Sequence, residues 1–298
     1  MKISIVIPVY NEAEYIGACL ESIARQTVMP YEVIVVDNGS TDSTKNIAES
    51  FSFVKVLSEK QQGVVYARDK GFNAASGDII GRLDADTLLT PEWCDSVIEI
   101  FKDQSLTAFS GSLDYYDGPD PLARLISSID SACQQWAANH VGPYVHLNGC
   151  NMAVRRSAWL EVRDSICKRL DVHEDQDLAI HLAKLGMKVS LEPNLKAGIS
   201  GRLIDKPPKR FYHYAHCTIY TYKQHDLRER NAYYPFFLLI MLGYLPLRFS
   251  YRRYIAMTKS SSLAQQILAG KRADPVIAPL KERYRSRKAK LASLDLKD

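Results

Sequence analysis

Residues 77–91 read GDIIGRLDADTLLTP, an apolar run ending in two carboxylates, Asp84 and Asp86, one residue apart. Ile79-Ile80-Gly81-Arg82-Leu83, bounded by Gly77 and by Thr90-Pro91, has the length and composition of a buried strand. Carboxylates do not belong inside such a strand, so the pair is expected at its exposed carboxyl end. In an open α/β sheet that end faces the crevice where ligands bind, because successive βα loops converge there. Alternation along the strand predicts that Arg82, Asp84 and Asp86 share one face. Two hard oxygen donors side by side suit Mg²⁺ or Mn²⁺, ions that keep several waters and take further oxygens from phosphates. The same residues also suit a helix cap with a solvated turn, since Thr90-Pro91-Glu92 opens a helix.

The preceding segments alternate between strand and helix. Residues 3–9 form a first strand, after which Ile16, Cys19, Leu20, Ile23 and Ala24 fall on one helical face. Residues 32–36 make a second strand, stopped by Asp37-Asn38-Gly39, and Ser40, Thr41 and Asp42 offer caps for a helix around Ile47. Residues 53–57 read as a third strand and 64–75 as the helix leading into the fourth. This order predicts an α/β fold with a doubly wound, mixed but mostly parallel sheet. Beyond Ser105 the rhythm loosens. The pattern there gives a strand over 106–113, a helix near 121–139, and a segment 145–155 with turn residues Asn148-Gly149. A helix over 176–185, capped by Gly186, and a last strand over 188–191 follow.

With 298 residues, 46% hydrophobic and 24% charged, the chain is an ordinary globular one. Its six cysteines are scattered without a CxxC pair and read as buried thiols of a reducing compartment. The first strand begins at once, with no charged leader before it, which points to the cytoplasm. Charge is uneven: residues 1–200 hold 18 Lys and Arg against 27 Asp and Glu, net −9, and residues 201–298 hold 20 against 7, net +13. The shift divides an acidic body, 1–200, from a basic helical extension, 201–298. Such asymmetry points to a polyanion, either nucleic acid or an anionic membrane surface, and the acidic body disfavours nucleic acid by repelling its phosphates. The extension holds the longest apolar run, residues 233–247 (YYPFFLLIMLGYLPL), followed by Arg248, Arg252, Arg253 and Lys259. Interrupted by Pro235 and Pro246, it falls short of the ~20 residues that span a bilayer. It reads as an interfacial segment on the inner face of the cell membrane, or as a helix packed on the acidic body.

Six ordered pieces carry a resemblance. Strand one ends Ile7-Pro8-Val9-Tyr10-Asn11-Glu12, strand two ends Val36-Asp37-Asn38-Gly39-Ser40-Thr41-Asp42, and Ala67-Arg68-Asp69-Lys70-Gly71 precedes Leu83-Asp84-Ala85-Asp86. Asn148-Gly149-Cys150-Asn151 and Glu174-Asp175-Gln176-Asp177-Leu178, with Gly186 beyond, complete the set. In this order they resemble the inverting family 2 glycosyltransferases of the A-type fold, over residues 1 to about 195.

The resemblance implies transfer of one sugar from a nucleotide-sugar donor, expected to be a UDP-sugar, to a glycan or lipid-linked acceptor. It implies a nucleoside pocket lined by Pro8, Val9, Tyr10 and Glu12, with Asp37 receiving a base N–H and Arg68 reaching the base or the diphosphate. Asp86 would hold the divalent cation, Mn²⁺ or Mg²⁺, with Asp84 on the ribose or beside the metal and Ala85 between them. Asp175 is implied as the base that deprotonates the acceptor hydroxyl, with Asn148, Gly149, Asn151 and Glu174 around the acceptor. Neighbours on a helix point about 100° apart, so only one of Glu174 and Asp175 faces the acceptor.

Plainer readings stand beside these: a turn-forming Asp37, a surface Arg68, an Arg82 that pairs with the aspartates, and acids capping a helix start. His216 reads as a further metal ligand or as an ordinary surface or core histidine. A polyprenyl-phosphate sugar synthase is the rival within the class. A nucleotidyltransferase would carry a Gly- and Arg-rich loop after strand one, where Pro8-Val9-Tyr10-Asn11-Glu12 stands. No GxGxxG after a strand, P-loop, HExxH or GxSxG is present. Long membrane helices of a processive polysaccharide synthase are not expected.

Overall fold

The computed structural model describes residues 1–117, 146–227 and 230–258, together with Ser128. The helix expected near 121–139 lies outside them, as does Lys259. The strands are β1 (Ile3–Val9), β2 (Glu32–Asp37), β3 (Val54–Ser58), β4 (Ile79–Arg82), β5 (Leu88–Leu89), β6 (Leu106–Tyr115), β7 (Met152–Arg155) and β8 (Lys188–Ile199). The helices are α1 (Ile16–Ile23), α2 (Thr44–Glu49), α3 (Val64–Ala74), α4 (Trp93–Ile100), α5 (Arg156–Val162), α6 (Glu174–Lys184), α7 (Pro208–Gln224) and α8 (Arg230–Thr258), with a 3₁₀ turn at Gly201–Asp205.

One sheet runs β3-β2-β1-β4-β7-β6-β8-β5. β1, β2, β3 and β4 pair in parallel, as do β6 and β8; β7 is antiparallel to both its neighbours, and β5 to β8. The expected α/β, mostly parallel, doubly wound sheet is therefore present. Successive strands step outward from β1 to β3, and β4 then returns to the other side of β1. That reversal opens a crevice beyond the carboxyl ends of β1 and β4.

β1 shows why these runs are strands. Ile3, Ile5, Ile7 and Val9 face one buried layer with Leu20, Trp93 and Phe101, whereas Val6 faces another with Phe72, Trp159 and Leu178. A strand buried on both faces needs an unbroken apolar run, and each such side chain contributes about 1.5–3 kcal/mol. Gly81 interrupts the run in β4 because the Trp93 ring lies on it; a Cβ there would meet Trp93 Cη2 at 2.7 Å.

Some boundaries differ from the sequence reading. β4 stops at Arg82, and Asp84 to Thr87 form a turn in which the Thr87 N–H donates to the Asp84 carbonyl at 3.1 Å. Strand alternation therefore does not orient the two aspartates. β8 continues to Ile199 instead of ending near 191, because a bulge between Glu192 and Lys196 absorbs Pro193 while pairing with β6 resumes beyond it. In the 145–155 segment, Asn148 to Asn151 close a turn and only Met152–Arg155 pair as a strand.

The 233–247 run lies within α8, a 29-residue helix that passes through Pro235 and Pro246, and one side of it packs on the rest of the chain as one of the two sequence readings expects. Phe237, Tyr244 and Tyr251, seven residues apart, are buried. Tyr244 stacks on Phe211 of α7 at 4.0 Å, and the Tyr251 hydroxyl donates to Asp117 Oδ2 at 3.2 Å. Leu238, Leu242, Leu245 and Phe249 form a second stripe, between 60% and 77% exposed. Among the described residues, no helix is long and apolar enough to cross a membrane.

Candidate active site at the carboxyl end of the sheet

β4 delivers Arg82 into the sheet's carboxyl edge, where its guanidinium bonds Asp84 Oδ1 at 3.0 Å and Glu174 Oε1 at 2.9 Å. The turn before β7 passes directly over it. A Cβ at Gly149 would lie 1.6 Å from Arg82 Nη1, so only glycine fits. The Gly149 N–H in turn donates to Asp175 Oδ2 at 2.9 Å. Glu174 and Asp175, the first residues of α6, thus take different partners, as their helical offset requires. Burial raises the Asp175 carboxyl, and the Glu174 charge raises it further. Burial acts on Glu174 too, but Arg82 and Arg68 outweigh it and hold that carboxyl below its ordinary range. Adjacent carboxylates with opposed shifts are suited to separate tasks, Glu174 as a fixed counter-ion and Asp175 as a proton acceptor.

Arg202 was missed in the sequence. It stands in the 3₁₀ turn, donating to both Glu12 carboxylate oxygens at 2.6 and 2.9 Å and to Asp86 Oδ2 at 2.7 Å. Its guanidinium also lies over the Tyr15 ring, 4.3 Å from the centroid. The turn is anchored by Asp117, which accepts the Ser200 hydroxyl and, at 2.6 Å, the Gly201 N–H. Burial pushes Asp86 up to about 7 even against this guanidinium, with Asp84 and Glu12 adding to the rise. One basic residue among the 20 of the basic segment carries no sequence signal of this position.

On the far side of β1, β1 and β2 bring Val9 level with Asp37. Asp37 is buried and accepts the Ser40 N–H at 3.3 Å, whereas Tyr10 is half exposed beside it. Asn11, in the left-handed region, accepts the Thr41 N–H at 2.8 Å, and the Glu12 N–H donates to Thr44 Oγ1 at 2.7 Å, tying the two loops together. Pro8 is part-buried and Ala85 fully so.

Two expected site residues lie elsewhere. Arg68 is 2% exposed, paired with Asp69 at 2.7 Å, donating to the Glu174 carbonyl at 3.0 Å, and flanked by Phe72 and Trp159. It brackets the start of α6 with its Nη2 buried and unpartnered, and burial pulls it down to about 10. Asn151 is fully buried: its amide donates to the Ser112 and Leu195 carbonyls and accepts from Trp93 Nε1, all at 2.9 Å. It braces β6, β8 and α4. Asn148 keeps its backbone on Ser110 Oγ at 3.0 Å, but its Nδ2 is buried without a partner. His216 packs among Tyr212, Tyr220 and Phe237 where α7 meets α8.

The donor set fits a hard divalent cation. Asp84 keeps 38% of its side chain exposed, and its charge reaches the buried Asp86, which already faces a positive group in Arg202. Asp84 and Asp86 are the residues that would hold the ion, which would supply positive charge to a departing diphosphate.

This sheet, with its reversal at β1 and β4 and acidic turn beyond β4, is the A-type glycosyltransferase fold. Residues 4–160 match the family described as glycosyl transferase family 2, and the chain belongs to that family. The glycosyltransferase AglE of Haloferax volcanii is 37% identical over 120 residues, which cover 38% of this chain and 40% of AglE. Curated relatives are thus matched over less than half their length. Among solved structures, the mannosyltransferase PcManGT of Pyrobaculum calidifontis, in complex with GDP-Man and Mn²⁺, superposes with a TM-score of 0.58 at 18% identity. The alignment covers 97% of this chain and 83% of PcManGT. S. aureus TarS 1–349 with UDP-GlcNAc gives 0.54 at 20% identity, covering 90% and 78%.

Proposed function

We propose that this chain moves a single sugar from a uridine diphosphate sugar to a glycan or lipid-linked hydroxyl acceptor by direct displacement with inversion. The observation that carries the reading is the division between Glu174, spent on Arg82, and Asp175, held on the Gly149 N–H with a raised affinity for a proton. Asp175 takes the acceptor proton as the new bond forms; the diphosphate departs toward Asp84 and Asp86, and no covalent nucleophile is needed. Asp37, Pro8, Val9 and Tyr10 receive the nucleoside, and Asn148 and Gly149 border the acceptor. The A-type fold and the nucleotide-sugar complexes of PcManGT and TarS support a nucleotide-sugar donor. A thermal-shift panel tests it. UDP-sugars with Mn²⁺ are expected to raise the midpoint by several degrees, since ligand at 100-fold over Kd adds ~2.7 kcal/mol. A larger shift with GDP-sugars would reassign the base, and no shift with any nucleotide sugar would overturn the reading.

We further propose that the exposed stripe of α8 rests on the inner, anionic face of the cell membrane. Four large apolar side chains on one helical face, with Arg253 over the Phe249 ring beside them, match an interfacial helix. Arg252 is already engaged by Asp205, which adjoins the Arg202 turn, so a clean variant spares it. Leu242→Ser with Leu245→Ser and Arg253→Glu is expected to abolish co-sedimentation with anionic liposomes while nucleotide-sugar hydrolysis in solution persists. Wild-type binding should weaken with salt. Equal binding of the variant would rule out the stripe.

A further inference from the structure

On the side of α6 away from Asp175, a second cluster gathers. Asp177 and His181 stand one helical turn apart on α6, and His225 closes α7 directly opposite. Asp177 is two residues from Asp175, or roughly 200° around the helix, so the cluster does not share the acceptor crevice. His225 Nε2 is 2.6 Å and His181 Nε2 3.7 Å from Asp177 Oδ1, and the three ligand atoms all lie within 4.8 Å of one another. The Asp177 side chain is wholly buried, and those of His225 and His181 are 5% and 18% exposed.

We propose that Asp177, His181 and His225 form a site for a borderline transition-metal ion, Zn²⁺ by preference, that clips the end of α7 to the helix carrying Asp175. Two imidazole nitrogens and one carboxylate oxygen are the donor set that Zn²⁺ takes, with the fourth position left to water. In a tetrahedral site with bonds of about 2.0–2.2 Å, ligand atoms stand roughly 3.3 Å apart, so the present spacings of 2.6 and 3.7 Å need only small adjustments. The surroundings are built for it. Asp177 Oδ2 accepts the Cys167 N–H at 2.9 Å, which fixes the carboxylate and leaves Oδ1 aimed at both rings.

One contact opposes the ion and provides a handle. Lys184 Nζ lies 3.0 Å from His225 Nδ1, and an ammonium can only donate. In the metal-free protein Nδ1 is therefore the acceptor, and Nε2 carries the hydrogen that bonds Asp177. Metal binding at Nε2 moves that proton to Nδ1. The ring stays neutral, and exposed Lys184 must withdraw into solvent.

The test uses chelator-stripped full-length protein titrated with Zn²⁺ and with Co²⁺, both as wild type and as Asp86→Ala, so that ions on the strand-end aspartates are counted apart. One equivalent of Zn²⁺ should persist in Asp86→Ala, and its Co²⁺ form should show the intense visible bands of a four-coordinate nitrogen-containing site. His181→Ala, at the margin of the cluster where folding tolerates it, should lose affinity by more than the ~10- to 100-fold that even an outer-shell partner costs. Lys184→Ala should tighten binding a few-fold and increase the Zn²⁺-dependent thermal shift. A weak six-coordinate Co²⁺ spectrum, no uptake, or equal affinity in His181→Ala would each overturn the site. None of these outcomes depends on the donor or acceptor proposed above.

Discussion

Asp175→Asn is expected to lower kcat by at least ~10²-fold while leaving the affinity for UDP-sugar within a few-fold of wild type. The amide preserves the shape of the side chain, and its oxygen can still accept the Gly149 N–H that holds the turn over Arg82, although the Gln176 N–H loses its acceptor on Oδ1. What disappears is the proton acceptor. The rate–pH profile separates this from a structural effect. A base works only when deprotonated, and burial with the Glu174 charge raises the Asp175 pKa. Activity of the wild type should therefore fall with decreasing pH from a point above the ordinary carboxylate range, and the residual rate of the variant should lack that limb. The rival polyprenyl-phosphate acceptor predicts the reverse, because a phosphate oxygen is already ionised and needs no base. A variant within a few-fold of wild type would favour it.

The legible part of this fold is the part whose residues answer to local rules. β1, β2 and β4 are apolar on both faces and bounded by Gly, Pro or Asp, so their sequence resembles little else. β5, two residues long, and the far half of β8 beyond Pro193 are held by partners instead of by their own pattern. The site divides in the same way. Asp84 and Asp86 stand out as a carboxylate pair closing an apolar run, whereas Asp37 and Asp175 are singled out by the family resemblance. Arg68 could not be placed, since arginines are mostly exposed and its burial depends on Trp159 and the Glu174 carbonyl, far along the chain. Asn151 follows two readable residues of a turn, yet its side chain serves the core. The charge shift near residue 201 falls where the chain re-enters the site, and Arg202 bonds Glu12 across 190 positions. We propose that the basic segment is a functional part of the catalytic body at this point, however sharply composition separates them.

The second large effect is expected at Asp86. Asp86→Ala should abolish Mn²⁺-dependent binding of UDP in a protein that remains folded, because it removes the buried oxygen donor and leaves only Asp84. Calorimetric titration of UDP with and without Mn²⁺ reads this directly, and unchanged affinity would remove Asp86 from the metal site. Arg202 sharpens the comparison. Its Nε holds the same Asp86 oxygen that a cation would take, and one positive group must yield to the other. A charge-assisted hydrogen bond contributes about 1.5–3 kcal/mol, so Arg202→Gln should tighten Mn²⁺ binding in the absence of nucleotide by ~10-fold or more. Glu12, freed of the same guanidinium, leaves a further negative charge near the site and adds to the gain. If Arg202→Gln leaves Mn²⁺ affinity unchanged and weakens UDP instead, the guanidinium belongs to the diphosphate and moves off Asp86 when the donor arrives. Either result would place the arginine at the proposed donor end of the crevice, opposite Asp175, the proposed base.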